Sequence, residues 1–530
     1  MLRPAAPRHT PGPARRAARS GVPPEAAGRP PAQEQELKLR LRPQDVAALR
    51  ARLDAHAPAR TEPVDSIYLD TPDCRLAAAR AALRLRALGK GRSQRWVQTL
   101  KTDDSGAAFS LRGEWETAAP QGRLHPELLA DSPLRQLLAG AGDDPIAQLA
   151  PVFRTRFIRS TWDLAAHGAH VEVVIDAGTI EAGGASEAIL EAELELKAGP
   201  AAAVWRLALD LARGTGSRAD LGLLPYGDSK AARGYRLAAR AGTVPLRAGA
   251  APAIVREQAA ADVARLLVAH ELVPLLANAA NVQAGADPEF VHQARVGLRR
   301  MRACLEVLGV ALPPALEQGL RRWSERFGAV RDWDVFCTQQ LPRLLADLGA
   351  DDPAAWSRIA AKAARRRAAA LLRLHGQLGT PAFAELALRL LQWAATPAAP
   401  ESARRAARPV APQAARELRK RLRRLARAAG TLSRCTPQRQ HRIRLQGKTV
   451  RYAIDALAAV LPPRLQATSR RALARFQDAA GRAQDAIVMQ AAIERLSRSA
   501  PLRHSVAQWA AARRRKAIAK AEKAAGRLSA

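Results

Sequence analysis

Two stretches of this sequence place ionised residues at every second position. In PAQEQELKLRLRPQ, Glu34, Glu36, Lys38, Arg40 and Arg42 share one parity, and Gln35, Leu37, Leu39 and Leu41 share the other. In ILEAELELKAG, Glu191, Glu193, Glu195 and Lys197 alternate with Ala192, Leu194 and Leu196. A strand sends successive side chains to opposite faces, so each stretch predicts a strand with one wholly charged face. The segments between add Arg84 and Arg86 in LRLR, Arg112, Glu114 and Glu116 in LRGEWE, and Glu172 and Asp176 in VEVVID. A solvated face accounts for any one of these strands. Solvated faces usually mix in Ser, Thr and Gln, however, and here the charges recur alone, with acids and bases segregated along the strands. Closed inward, such faces would line a tunnel whose charges must be paired. Carboxylates hold a hard divalent cation such as Mg²⁺ or Mn²⁺. Arg and Lys hold phosphate oxygens. A metal carrying an oligophosphate satisfies both sets.

A second constellation lies further on. HQARVGLRRMRACLEVL (292–308) and HRIRLQGKTVRYAIDAL (441–457) share the pattern H-x-x-R-x-x-x-[RK]-x-x-R-x-x-x-x-x-L. On a helix, His292, Arg295, Arg299 and Arg302 fall within an arc of about 80° along about 15 Å. The duplicate stripe is His441, Arg444, Lys448 and Arg451. Like charges at these spacings repel, so a stripe kept twice points to a bound anion. Downstream, GAVRDWDVF and GRAQDAIVM repeat in the same order, which implies two copies of a helical bundle. Arg331, Asp332 and Asp334 are expected to support the first stripe, and Asp485 the second.

The elements that must carry these residues change midway along the chain. From about 33 to 200, eight short alternating segments separated by turn-prone stretches predict an antiparallel sheet or barrel, with helices near 43–55, 124–140 and 200–213. Beyond 253 the pattern is Leu/Ala/Arg helix to the end, with a proline-rich break at 395–413. The expected fold is α+β and multidomain: an eight-stranded antiparallel β tunnel with flanking helices, then an all-α domain of two duplicated bundles. The expected boundaries are a disordered tail (1–30), the tunnel domain (31–240), a linker (241–253), the helical domain (254–515, with repeats at about 254–395 and 412–515) and a basic tail (516–530).

The tunnel segments carry a family resemblance. EQELKLRL fits an ExExK signature, and YLDTPDCRLAAARAALRLRALG, WVQTLKT, RGEWE, VEVVIDAG, EAELELKAG and YGDSKAARGYRL follow in order. Together they resemble the CYTH, or triphosphate tunnel metalloenzyme, superfamily. The resemblance implies an eight-stranded tunnel and metal-dependent hydrolysis of inorganic triphosphate, as in bacterial two-domain inorganic triphosphatases. Thiamine triphosphatase and adenylate cyclase are other activities of that superfamily, and a non-catalytic polyphosphate-binding protein is a further alternative. It implies metal ligation by Glu34, Glu36, Glu191, Glu193 and Glu195, with Asp176 positioning metal or water. Lys38 would lie beside the scissile phosphoryl group. Arg84, Arg86, Lys101, Arg112, Lys230 and Arg233 would grip the phosphate chain. In FRTRFIRSTW, Arg154 and Arg156 share a face that Arg159 leaves unless a bulge intervenes, and Arg156 is the expected contact. The helical segments resemble the CHAD domain, which implies binding of long-chain polyphosphate by His292, Arg295, Arg299, Arg302, His441, Arg444, Lys448 and Arg451. The chain departs from that pattern at Thr449, where a base is expected, and at Gln484, opposite Arg331 of the first copy.

Composition agrees. The net charge is +35 over 530 residues. Residues 251–530 hold about 49 basic against about 21 acidic side chains, a field suited to polyanions. Nucleic acid is the rival partner, but the basic stripes lack interleaved aromatics for stacking, and no nucleic-acid reading motif occurs. Cys74, Cys304, Cys337 and Cys435 are far apart, which excludes a zinc ribbon and fits a reducing cytoplasm, with association to polyphosphate granules a corollary of the resemblance. No uncharged apolar run reaches the length of about 18 residues that a membrane span needs.

Overall fold

In the computed structural model the described residues are 32–528, apart from 90, 92–93, 104–108, 140–143, 215–218, 283–286, 350–351 and 398–407. The proposed tail at 1–30 lies outside them. Eight long strands form the first half: β1 (Ala32–Arg40), β2 (Arg60–Asp70), β3 (Ala81–Leu88), β4 (Arg95–Asp103), β5 (Phe109–Ala118), β6 (Ala150–Ala166), β7 (Ala169–Ala182) and β8 (Ala185–Ala198). They pair antiparallel in the order β5-β4-β3-β2-β6-β7-β8-β1, and β1 pairs back onto β5. The sheet is therefore closed, which leaves these strands no free edge. A two-residue β9 (Leu224–Pro225) adds to β1.

Two tight turns set the register of the charged strands. His167 and Gly168, and then Gly183 and Gly184, all have positive φ, as a two-residue hairpin turn of the favoured twist requires. Counting back from them pairs Arg159 with Asp176, and Asp176 with Glu191. On the other edge of β8, Glu193 pairs with Lys38 and Glu195 with Glu36.

The leucine parity of these strands faces outward, opposite to the charges. Leu37, Leu39, Val173, Ile175 and Leu194 are buried there beneath α1 (Val46–Asp54) and α4 (Ala202–Ala212), against Leu49, Leu53 and Trp205. Each such side chain contributes about 1.5–3 kcal/mol on burial, and this outer layer offsets the cost of turning charge inward. Short helices α2 (Arg75–Ala78) and α3 (Leu134–Leu137) close the β3–β5 side. Helix α5 (Lys230–Ala238) is capped by Ser229, whose hydroxyl accepts from the Ala232 amide at 3.1 Å.

The second half is helical: α6 (Ala260–Ala279), α7 (Pro288–Leu308), α8 (Pro314–Val335), α9 (Leu341–Leu348), α10 (Pro353–Leu378), α11 (Pro381–Ala395), α12 (Val410–Ala429), α13 (Pro437–Ala456), α14 (Pro463–Leu496) and α15 (Ala500–Ala525). The duplication is visible in the helix starts: α12, α13 and α14 follow α6, α7 and α8 at the spacing of the sequence repeat. Backbone bonds tie the two starts together, from the Ala260 amide to the Arg408 carbonyl (3.0 Å) and from the Val410 amide to the Gln258 carbonyl (2.9 Å). One continuous apolar core joins α6, α7, α8, α12, α13 and α14. None of the described helices is long and apolar enough to cross a membrane.

The halves touch. Leu388 of α11 is buried in the layer outside the tunnel, beside α4. Arg42 donates to Asp45 at 2.6 Å and to the Gly379 carbonyl, and Arg40 donates to the Ala280 carbonyl at 3.2 Å. The segment read as a linker is anchored at Leu246. Its amide and carbonyl exchange hydrogen bonds of 3.0 and 2.7 Å with the buried Asn278 side chain.

Candidate functional site

The tunnel encloses a cavity of about 380 Å³. Its lining includes the carboxylates of Glu36, Glu172, Glu193 and Glu195, and the cations Lys38, Arg84, Arg86, Lys101, Arg159 and Lys230. The charged parities of β1, β3, β7 and β8 thus face one another across the interior. Leu246 and Val273, from the linker and α6, complete the wall.

Carboxylates and cations are paired in layers set by the strand register. Arg159 makes a two-pronged contact with Asp176 at 2.8 and 2.7 Å and reaches Glu193 at 3.2 Å. The Lys230 ammonium sits between Asp176 (2.7 Å), Glu191 (2.5 Å) and Glu193 (3.0 Å). Lys38 bridges Glu36 at 3.3 Å and Glu193 at 3.0 Å. Burial disfavours the Lys230 ammonium, but Asp176, Glu191 and Glu193 outweigh it and raise its pKa above that of a free lysine. Burial likewise pushes Glu193 up, while Lys230, Lys38 and Arg159 bring it well below the usual carboxylate range. Asp176 is lowered in the same way by Lys230 and Arg159.

The opposite wall is lined by the cations Arg84, Arg86 and Lys101. Arg84 lies 3.7 Å from Glu114, which Lys101 approaches at 3.1 Å. Arg86 donates to the Ser66 hydroxyl at 3.1 Å. Burial, then Arg84 and Arg159, push Arg86 down to about 9. Guanidinium groups held this close are stabilised when an anion enters between them.

Asp176, Glu191 and Glu193 each offer one oxygen, and these lie within 4.8 Å of one another. That donor set suits a hard divalent cation. Lys230 uses the same oxygens, so an ion in that cluster competes with its ammonium. Glu36, Glu193 and Glu195, adjacent across β1 and β8, form a neighbouring set that faces the cavity.

Several expected residues sit elsewhere. Arg156 is corrected: it is half-exposed on the outer face, bound to Glu181 at 3.2 Å, and Arg159 takes the inner position. Phe153, Thr155 and Phe157 mark the inner parity of β6, so no bulge was needed to turn Arg159 inward. Counting from the His167–Gly168 turn to Asp176 would have found it. Arg233 bonds Glu187 at 2.7 Å and Glu191 at 3.1 Å, outside the cavity lining. Glu191 itself is buried behind Lys230 and Arg233. Glu34 and Arg112 are register partners on β1 and β5, with side chains outside the described residues. Tyr68, not anticipated, lines the cavity stacked on Phe153 at 4.3 Å; burial raises its pKa, but Arg84 and Arg86 outweigh that and lower it.

The helical half holds the second constellation. A cleft of about 720 Å³ between α7 and α13 is lined by His292, Arg295, Arg299, Arg302, His441, Arg444 and Lys448, joined by Arg331, Asp332 and Asp485. Arg451 turns away to Gln477 at 3.0 Å. Asp334 also leaves the group expected for it and pairs with Arg367 of α10 at 2.6 Å. The Nε atoms of Arg295 and Arg444 and Nδ1 of His441 are buried without hydrogen-bond partners among the described residues. Burial, then Arg444 and Arg299, push Lys448 down to about 7, and burial with Arg299 pushes Arg295 down to about 10. A cleft that holds unpartnered donors and mutually repelling cations is built for an anion.

Comparison with known proteins agrees with this division. The CYTH domain profile matches residues 32–219, and the CHAD domain profile matches residues 266–494. The CHAD domain of the plant Ricinus communis is 27% identical, covering 52% of this chain and 91% of that one with a TM-score of 0.38. PptA from Streptomyces chartreusis is 20% identical over 51% of this chain and 99% of its own, with a TM-score of 0.36. HpAC1 from Hippeastrum, described as having a dominant triphosphatase activity, is 23% identical over 31% of this chain and 80% of its own, with a TM-score of 0.23. With its closed charged tunnel and its duplicated basic cleft, the chain carries a CYTH domain followed by a CHAD domain.

Proposed function

We propose that the tunnel hydrolyses inorganic triphosphate in a metal-dependent reaction, and that the basic cleft binds long-chain polyphosphate. The observation that carries the first part is the split wall of the cavity: carboxylates on β1, β7 and β8 face the cations Arg84, Arg86 and Lys101 on β3 and β4. An oligophosphate with a divalent ion matches both sides, and the CYTH domain supports a triphosphate-tunnel type of function.

Phosphoryl transfer needs positioning and charge stabilisation more than covalent help from the protein. Glu36, Glu193 and Glu195 would hold Mg²⁺ or Mn²⁺, which supplies positive charge to the phosphate oxygens when bound. Arg84, Arg86 and Lys101 grip the chain and neutralise the departing pyrophosphate. Lys38, held between Glu36 and Glu193, presents its ammonium to the phosphoryl group under attack. Arg159 and Lys230 hold the carboxylate array in register.

Purified protein incubated with triphosphate, thiamine triphosphate, ATP or long-chain polyphosphate, each with Mg²⁺ or Mn²⁺, should release phosphate fastest from triphosphate. Glu36→Gln and Glu193→Gln should each lower kcat at least a hundredfold, an effect of about 2.7 kcal/mol or more. Unchanged turnover in both variants would overturn the assignment of the metal ligands.

A further inference from the structure

A second cavity, of about 690 Å³, opens beside the basic cleft. The two share Arg299, Arg302 and Lys448 in their walls, so they are continuous past these cations. Their chemistry differs. Beyond Lys448 the wall is made by Leu305, Leu312 and Tyr452, with the carboxylates of Glu306 and Glu317 and the guanidinium of Arg442 among them. A bare phosphate chain continuing that way would find Arg442 but also apolar surface and two like charges. The volume lies in the range of about 300–1,000 Å³ typical of small-molecule sites.

The sequence departure at Thr449 bears on this cavity. Its counterpart in the first repeat is Arg300, which points away to Glu271 at 3.5 Å. Thr449 lines the second cavity, so a neutral side chain with a hydroxyl stands where the pattern expects another cation. Tyr452 stands at the junction. It lines the apolar side, and its phenol lies close enough to Arg295 and Arg444 to act on both electrostatically. A ring next to phosphate-binding guanidinium groups, with Thr449, Gln446 and Glu317 nearby, suits a flat, hydrogen-bonding head attached to a phosphate chain.

We propose that the cleft accepts a nucleoside 5′-oligophosphate, its phosphates on Arg295, Arg299, Arg444 and Lys448 and its nucleoside in the adjoining cavity against Tyr452. This rests on the reading of the basic cleft as a phosphate-chain site. The orphaned Arg295 Nε, Arg444 Nε and His441 Nδ1 receive the phosphate oxygens. Glu317 and Gln446 accept and donate at the nucleoside.

The test is calorimetric titration of the full chain with adenosine 5′-tetraphosphate and with inorganic tetraphosphate. The parent should bind the nucleoside compound at least tenfold tighter at the cleft, although it carries less charge. Arg299→Glu should abolish cleft binding of both and so identify that component against any binding in the tunnel. Tyr452→Ala should weaken the nucleoside compound about tenfold and leave inorganic tetraphosphate within twofold, and Tyr452→Trp should restore the difference. Retained inorganic binding also shows that the Ala variant is folded. Equal affinity of the two ligands, or equal effects of Tyr452→Ala on both, would overturn the nucleoside site and spare the phosphate-chain reading. Indifference of both ligands to Arg299→Glu would overturn the phosphate-chain reading itself.

Discussion

Lys448 shows how one residue can make ligand binding depend on pH. Burial and the nearby Arg444, Arg299 and Arg295 push it down to about 7, so the free cleft loses part of its charge near neutrality. A bound polyanion favours the ammonium, so binding takes up protons, and affinity should rise as pH falls from 8 to 6. Binding enthalpies measured in two buffers of different ionisation heat should reveal that uptake, and Lys448→Arg should flatten the profile. A profile unchanged by Lys448→Arg would remove the residue from the site. The sign for stability without ligand is opposite. The folded pKa lies below the ordinary lysine value of 10.5, so the unfolded chain holds the extra proton between about 7 and 10.5 and stability rises with pH across that window. At this scale much of the site could be read directly. Glu36, Lys38, Glu193 and Glu195 share the inward parity that their spacing predicts. Arg159 was missed because parity within β6 cannot say which face is inner until the hairpin register is known.

Helix α5 shows what an element contributes. It brings Lys230 into the cavity and Arg233 onto Glu187 and Glu191. Its seat is close packing at Gly234. A Cβ there would lie 2.1–2.2 Å from the Phe153 ring, which is itself wedged between Tyr68 and Tyr235. Gly234→Ala must therefore push α5 off β6 or displace Phe153 and, with it, Tyr68. Overpacking of this kind costs about 1–3 kcal/mol. The expected outcome is a lower Tm together with at least a tenfold loss of triphosphate turnover, because Lys230 leaves the carboxylate array. Thermal unfolding that matches the parent, with full turnover, would mean that α5 does not need this contact. Nothing in SKAARGYRL announces the contact, since a glycine inside a helical pattern is a weak signal until its neighbour across the fold is known.

In the whole molecule, two charged cavities of different architecture stand on one chain. The tunnel cavity sets carboxylates of β1, β7 and β8 against cations of β3 and β4, and the cleft is lined mainly by cations. The halves meet through Leu388, Arg40, Arg42 and the Asn278–Leu246 pair, and Val273 of α6 reaches the tunnel wall. Reversing charge at Arg295, Arg299, Arg444 and Lys448 together should abolish retention of the protein on immobilised long-chain polyphosphate while triphosphate turnover stays within twofold. Loss of both would show that the sites are not separable.

The sequence by itself determined the strands, their charged faces, the duplication of the helical half and most of the charged groups that line each cavity. Those features depend on local periodicity and on residue type, which survive in one dimension. Closure of the sheet by β1 on β5, the inward turn of Arg159 and the capture of Lys230 by three carboxylates were decided only by tertiary structure. So were the exit of Arg156 and Arg451 from their sites and the second cavity beside the cleft. The physical reason is common to all of them: pairing and burial of charge depend on which strands and helices come to face each other, and that is fixed by long-range register and packing.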